Sequence, residues 1–174
     1  MRMKAVIMAV MLAAIFVTGC SSASEKGLEY LQEEKYDQAI EEFQKAVDKD
    51  DNPGDAYRGI GIAKWEQEDY EGAREAFMNA LDNGAKKTGT IYNFIGCCAL
   101  KLDDASSALN YFNLGISQED SSDELVQEMK FNVIAAYEQM EDWESARAKL
   151  EEYLEEYPDD EAAQKEMTFL ETRS

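Results

Sequence analysis

The sequence predicts an all-α fold in which about four helix–turn–helix units stack into a solenoid and a final helix covers its end. The first observation behind this prediction is a recurring alanine, spaced by 34, 35 and 38 residues: Ala39, Ala73, Ala108 and Ala146. The second is a large apolar residue about one helical turn after each alanine: Phe43, Phe77, Phe112 and Leu150. A period of about 34 residues is typical of stacked helical hairpins, each too small to bury its apolar face alone. An interaction surface is therefore favoured over an active site.

The N-terminal segment has the features of an export signal. Arg2 and Lys4 precede an apolar run from Ala5 to Val17, and small residues lead from this run to Cys20. A helix of that length rises about 20 Å, which is short of the roughly 30 Å hydrocarbon core of a bilayer. We therefore predict a signal peptide over residues 1–19 that is cleaved from the mature chain.

The segment Val17-Thr18-Gly19-Cys20 also resembles the bacterial lipobox, in which the cysteine becomes the first residue of the mature chain. This resemblance implies that Cys20 is diacylated and that residues 20–24 form a lipidated tether. Two acyl chains anchor a protein stably, whereas one gives only marginal binding. The expected location is extracytoplasmic, on the outer face of the cytoplasmic membrane, or on the outer membrane if the cell has two. The alternative is an ordinary signal with a coincidental cysteine.

Strong acidity limits the partners of the mature chain. The full sequence has 17 basic and 37 acidic residues, and loss of the signal removes Arg2 and Lys4, which leaves 15 against 37 and a net charge of −22. This charge would repel both the phosphates of nucleic acids and anionic lipid head groups. We therefore expect no nucleic-acid partner, and membrane attachment only through the lipid at Cys20.

Residues typical of catalysis are missing. The sequence has no histidine, the commonest general base and metal ligand, and no Gly-rich phosphate loop or Gly-x-Ser-x-Gly motif. The stretch from Asp48 to Asn52 begins like a calcium loop, but Pro53 and Gly59 stand where a glycine and a bidentate glutamate are needed. We predict no enzymatic activity, no cofactor, no metal site and no small-molecule substrate.

Cys97 and Cys98 are adjacent in one predicted helix, so their side chains point about 100° apart and a disulfide between them would distort the backbone. Cys98 falls in a small-residue position of the repeat and is expected to be a buried thiol. A redox pair is less favoured, because reactive thiols need an electropositive surrounding that this acidic chain lacks. A redox role for either cysteine stays open.

The four units can be followed along the chain, at about residues 25–53, 54–87, 89–122 and 127–158. Each is expected to pair a first helix, which has a small residue at mid-length, with a second helix that carries the recurring alanine. The mid-helix position holds Gly27, Gly61, Gly96 and, in the fourth unit, Ile134. A mid-helix glycine costs roughly 1 kcal/mol of helix stability relative to alanine, and it allows the partner helix to approach closely.

The chain beyond the fourth unit is expected to close the stack. Pro158 stops the last helix of that unit. Residues 159–174 are then predicted to hold a capping helix with Ala163, Met167 and Leu170 on one face and polar residues opposite.

These spaced Gly, Tyr, Ala and Phe residues resemble the tetratricopeptide repeat, and the resemblance covers about residues 21–158. The departures are Lys26 for an aliphatic residue, Ala105 for an aromatic residue, Gly115 for alanine and Ile134 for a small residue. Because two of them fall in the third unit, we expect that unit to be the loosest.

The resemblance implies a right-handed superhelix whose first helices line a concave groove. Carried over position by position, the groove residues are Arg58, Ile62, Trp65, Asn93, Cys97, Lys101, Phe131 and Gln139. Tryptophan and arginine dominate binding hot spots, which draws attention to Trp65. Arg58 and Lys101 would be cations in an acidic body, so a carboxylate-bearing peptide is a suitable guest. The alternative is that Trp65 and Phe131 only fill gaps between units.

The expected function is that of a lipid-anchored scaffold or adaptor for protein–protein interaction in the bacterial cell envelope, with a protein or peptide as partner. One alternative is a component of an envelope assembly machine, for outer-membrane protein insertion or for pilus or secretion biogenesis. A less favoured one is an accessory of cell-wall turnover. The basic and asparagine pattern with which some repeat proteins clamp chaperone tails is not found in this sequence.

Overall fold

The computed structural model describes residues 22–173, and this part of the chain contains nine α-helices and no strand. The helices are α1 (Ala23–Gln32), α2 (Tyr36–Asp48), α3 (Pro53–Glu66), α4 (Tyr70–Asp82), α5 (Gly89–Lys101), α6 (Ala105–Ile116), α7 (Asp123–Gln139), α8 (Trp143–Glu156) and α9 (Glu161–Leu170). The predicted all-α repeat solenoid is confirmed. The signal peptide predicted over residues 1–19 and the lipidation predicted at Cys20 lie outside the described residues.

The first eight helices form four hairpins, and each hairpin packs against the next. Two of the three pairs of consecutive first helices also contact each other, namely α1 with α3 and α5 with α7. Within residues 22–173, no two consecutive second helices pack against each other to a similar extent. The first helices therefore lie on the inner side of the solenoid and the second helices on the outer side.

The turn inside each hairpin has the same backbone geometry in all four units. One residue adopts a left-handed conformation, with φ of 57°, 60°, 59° and 58° at Glu34, Glu68, Asp103 and Glu141. The amide of the next residue then bonds back five residues, as Lys35 does to the Tyr30 carbonyl at 2.9 Å. This is the Schellman arrangement, which satisfies carbonyls at the end of the first helix. The four hairpins consequently turn alike although their turn sequences differ.

An aspartate precedes three of the second helices and caps them. Asp69, Asp104 and Asp142 each accept a hydrogen bond from the backbone amide three residues later, at 3.0, 3.2 and 3.1 Å. The amide of Gly72 lowers the pKa of Asp69, and the hydroxyl and amide of a serine three residues later lower the pKa values of Asp104 and Asp142. The caps are therefore strongest when these aspartates are ionised.

Replacing these three aspartates with asparagine is expected to reduce the acid sensitivity of the fold. Their pKa values are lower in the folded chain than the ordinary value of 3.8, so their contribution is present above pH 3.8 and is lost as the pH falls through the folded values. Asparagine still caps a helix but does not titrate. Thermal unfolding followed by circular dichroism from pH 5 to pH 2 should show a smaller loss in the triple variant. If the stability of the wild type and of the triple variant falls in the same way with decreasing pH, the three ionised aspartates do not contribute to stability as described.

Helix α1 begins earlier than predicted from the sequence. The Ser22 hydroxyl accepts from the Glu25 amide at 3.1 Å, and the Glu25 carboxylate accepts from the Ser22 amide at 2.8 Å. This reciprocal capping box starts the helix at Ala23. Ala23 and Ser24, which were assigned to the predicted tether, are thus the first two residues of α1.

Helix α7 also begins before the predicted start of its unit at residue 127. The Ser122 hydroxyl accepts from the Leu125 amide at 3.2 Å, so the helix starts at Asp123. The added turn places Glu128 well inside the helix.

Contacts between glycine and phenylalanine form the centre of the first three hairpins. Phe43 of α2 is buried between Gly27 of α1 and Gly59 of α3, and a Cβ atom on either glycine would lie 2.7 or 2.5 Å from its ring. The same contact recurs with Phe77 on Gly61 and with Phe112 on Gly96. Because these glycines have no Cβ atom, the phenylalanine rings can lie directly against the backbone of the first helix.

In the fourth hairpin the first helix carries a larger side chain at this contact than in the other three hairpins, and the second helix a smaller one. Ile134 replaces the small residue in the first helix, and Leu150 replaces phenylalanine in the second. Both are buried and belong to one apolar cluster. A larger residue on one helix is matched by a smaller one on the other, which keeps the core filled.

Gly115 in the third unit makes room for a side chain of the next unit. A Cβ atom there would lie 2.4 Å from the Sδ atom of Met129. Met129 of α7 is fully buried, so the glycine admits a side chain from the next unit. The expectation that the third unit is the loosest receives no support from this junction.

Helix α9 lies in the segment predicted to cap the stack. Its residues Ala163 and Leu170 are fully buried in the same apolar cluster as Leu150 of α8. Arg147 of α8 donates to the carbonyls of Leu170 and Arg173 at 3.1 and 3.0 Å, which holds the end of α9. Between residues 22 and 173, none of the helices combines the length and the hydrophobicity needed to cross a bilayer.

Candidate functional site

The inner side of the solenoid is the candidate site, because the first helices present a repeated row of residues there. In each first helix, the residue of this row directly follows the mid-helix position that holds glycine in the first three units and Ile134 in the fourth. We call these four residues the inner row: Leu28, Ile62, Cys97 and Ala135. Leu28 is 42% exposed, and the other three are half-buried. The inner row is apolar along its length and most accessible at its N-terminal end.

Ile62 and Trp65 lie where the second unit meets its neighbours. Ile62 packs against the apolar clusters on both sides of the second unit. The Trp65 ring stands edge-on to Tyr70 and to Phe94, with centroid distances of 5.2 and 5.6 Å. Both side chains fill the junction and remain partly exposed, so Trp65 does fill a gap between units.

The two cations predicted for the groove are engaged within the chain. A guanidinium nitrogen of Arg58 lies 3.1 Å from a carboxylate oxygen of Asp55. The Lys101 ammonium lies 5.6 Å from the centroid of the Tyr70 ring. A carboxylate-bearing guest is less well supported for this reason.

A chain of polar contacts crosses from α5 to α7 at the middle of the inner side. The Asn93 amide, which is only 2% exposed, donates to the Glu128 carboxylate at 2.9 Å. The Cys97 thiol donates to the Asn93 carbonyl oxygen, and its sulfur accepts from the Asn132 amide, both at 3.7 Å. Asn93 and Cys97 therefore join two units, and the polar atoms of Asn93 are already occupied.

Phe131 and Gln139 also connect neighbouring elements. The Phe131 ring packs on Tyr153 of α8, with 5.5 Å between centroids. The Gln139 amide donates to the Leu100 carbonyl at 3.1 Å and to the Asp103 carboxylate at 2.7 Å, in the turn of the preceding hairpin. Six of the eight predicted groove residues thus contact a neighbouring unit, whereas Arg58 and Phe131 make their contacts within their own hairpin. The structure does not gather the eight into one open pocket.

Sequence reasoning missed three residues of the inner side: Leu28, Glu128 and Asn132. Leu28 follows Gly27 as Ile62 follows Gly61, so the repeat pattern alone was sufficient to find it. Glu128 and Asn132 are four residues apart on α7, and a correct start for that helix would have placed them on one face.

The thiols are poorly suited to redox chemistry. Burial raises the pKa of Cys98 to about 12, and it also raises the pKa of Cys97, with Glu128 adding to the effect. A thiolate is the reactive form, so both cysteines are held in the unreactive state. In the part of the chain that the structure describes, no three potential ligands gather in a way that could hold a metal ion.

The chain belongs to the tetratricopeptide-repeat family. One family profile, described as tetratricopeptide repeat, matches residues 24–88 and 58–124, and a second with the same description matches residues 132–160. Together these matches cover the first three hairpins and most of the fourth. No curated protein sequence matches the chain.

Several solved structures share the fold. The crystal structure of YrrB, a TPR protein with an unusual peptide-binding site, is 20% identical and has a TM-score of 0.73, over 85% of this chain and 74% of that one. The crystal structure of MamA is 14% identical with a TM-score of 0.74, over 85% and 78%. A MamA RS-1 double mutant is 15% identical with a TM-score of 0.74, over 87% and 82%. At these identities the similarity shows the fold, and the family supports a scaffold for protein–protein interaction.

Proposed function

We propose that this protein is a lipid-anchored adaptor of the bacterial cell envelope that receives a segment of a partner protein on the inner side of its solenoid. The observation that carries the proposal is the inner row, an apolar strip with partial exposure on a repeat scaffold built for protein interaction. YrrB, which has the same fold, has an unusual peptide-binding site, and this supports a peptide segment as guest. The absence of histidine and the raised pKa values of the thiols are consistent with a non-catalytic role.

Leu28→Ser is expected to weaken partner binding about tenfold and to leave the fold intact. An exposed leucine buried in a complex contributes about 1–2 kcal/mol, whereas its loss from an exposed helix position changes stability by about 0.5 kcal/mol or less. Binding is measured by affinity purification from cells followed by quantitation of the recovered partner. The matched control is Leu114→Ser on the outer helix α6, where the leucine is 45% exposed.

If both variants recover as much partner as the wild type, the inner row is not the binding surface. If both recover equally less partner, the cause is a general effect of reduced surface hydrophobicity, which would also contradict the proposal.

The lipid anchor is tested separately with Cys20→Ser. The predicted lipid is attached through the cysteine sulfur, so labelled palmitate should appear on the wild-type chain and be absent from the variant. The variant should also leave the membrane fraction, because the two acyl chains are the only expected membrane contact. Palmitate incorporation into Cys20→Ser, or its absence from the wild type, would contradict the proposed anchor.

A further inference from the structure

Two glutamates from different helices meet where the fourth hairpin contacts α9. The carboxyl groups of Glu138 in α7 and Glu166 in α9 lie within hydrogen-bonding reach of each other, and both side chains are half-buried. The Oε1 atom of Glu138 is shielded from solvent, and no group in residues 22–173 donates a hydrogen bond to it. A buried carboxylate oxygen without a donor is unfavourable, so this contact needs a proton that two ionised carboxylates do not supply.

The cations of the surrounding helices are directed elsewhere. Lys165 of α9 pairs with Glu161 at 3.7 Å, and Lys101 of α5 lies over the Tyr70 ring. On α7 itself, Lys130 bonds to Glu156 at 2.5 Å.

On α8, Arg147 donates to carbonyl groups at the end of α9, and Lys149 bonds to Glu152 at 2.6 Å. Helix α6, which also packs on α7, carries no charged residue. None of these cations pairs with Glu138, and the charged group beside it is Glu166.

We propose that Glu138 and Glu166 share one proton, and that this shared proton is a pH-sensitive latch that holds α9 on the fourth hairpin. The proton bound to one carboxyl group donates to an oxygen of the other and provides the donor that the buried oxygen lacks. When both groups ionise, two adjacent negative charges repel each other across the α7–α9 contact. Each opening then uncovers the apolar face of α8 around Leu150. The latch goes beyond the adaptor function and does not depend on it.

The direction of the pH effect follows from the protonation of Glu138. Burial, with the neighbouring Glu166 carboxyl group, raises the pKa of Glu138 from 4.5 to about 7. A group with a raised pKa in the folded state contributes fully below its unfolded pKa, and the contribution is lost as the pH rises to the folded pKa. The latch is therefore strongest in acid and weakens as the pH rises from about 4.5 to about 7.

The test compares hydrogen exchange of the α9 amides in the wild type, Glu138→Gln and a matched control between pH 5 and pH 8. Rates are corrected for the intrinsic pH dependence of exchange and referenced to α4 in the same sample. The wild type should lose α9 protection about tenfold over this range, since partial solvent exposure screens part of the effect. Glu138→Gln should lose much less, because the amide is a permanent donor. The control is Glu155→Gln, an exposed position on α8 that should behave as the wild type.

Two results would overturn the latch: α9 protection in the wild type that does not change with pH, or the same pH dependence in Glu138→Gln. If Glu138→Gln does not fold, Glu166→Gln places the permanent donor on the other helix. The same loss of pH dependence is expected from it, and its persistence would again refute the proposal.

Discussion

Replacing Phe43 with alanine should destabilise the N-terminal end of the solenoid by about 4 kcal/mol. Loss of a buried phenylalanine side chain costs roughly 3–5 kcal/mol, and the cost is highest where the surroundings cannot collapse. Two neighbours of this ring, Gly27 and Gly59, have no side chains that could move into the cavity. Because repeat proteins are stabilised by contacts between neighbours, the loss should concentrate in α1, α2 and α3.

Hydrogen exchange resolves this local effect, with urea unfolding as the global measure. Protection should fall in α1 to α3, while α5 and α6 keep theirs. The control is Met78→Ala, an apolar residue that is 43% exposed and whose truncation should change stability by about 0.5 kcal/mol or less. A loss below about 1 kcal/mol for Phe43→Ala would show that the ring is not the centre of this hairpin.

Gly59→Ala is expected to destabilise the protein by about 2 kcal/mol, although alanine is the better helix former. The gain in helix propensity is about 1 kcal/mol, whereas overpacking a core costs about 1–3 kcal/mol. The new Cβ atom would lie 2.5 Å from the Phe43 ring, and the close contact of the ring with Gly27 limits its retreat. The clash is therefore at the upper end of the range and outweighs the propensity.

The sign of this effect should reverse when Phe43 is reduced in size. In a Phe43→Leu background, Gly59→Ala no longer meets a ring and should stabilise the chain by up to about 1 kcal/mol. The fourth hairpin contains a comparable exchange at the repeat position of Gly27, where Ile134 shares an apolar cluster with Leu150. Urea unfolding of the two single variants and the double variant measures the coupling. Additive effects would mean that the two residues do not compete for the same space.

The repeat architecture was predictable because each hairpin satisfies its packing with a short sequence pattern. Gly61, Ala73 and Phe77 are close enough in sequence for one helical hairpin to bring them together, and the same spacing recurs along the chain. The starts of α1 and α7 were missed because a single serine hydroxyl decides each of them. Ser22 and Ser122 are equally typical of tethers and loops, whereas here both cap helices.

The inner side was less predictable because its contacts join residues from different units. Asn93 bonds to Glu128, 35 residues away, and Gln139 reaches back 36 residues to Asp103. Whether a side chain faces a guest or a neighbouring helix depends on the curvature of the stack, which the repeat pattern does not specify. The carboxyl pair of Glu138 and Glu166 could not be found from sequence for the same reason.

The most direct test of the adaptor proposal is photo-crosslinking in cells from residue 28 compared with residue 114. A photoreactive amino acid replaces Leu28 on the inner row or Leu114 on the outer helix α6, two leucines of similar exposure. We expect position 28 to form a covalent adduct with a partner protein, identified by mass spectrometry, and position 114 to form none. Adducts only from position 114, or the same adducts from both positions, would contradict binding on the inner side of the solenoid.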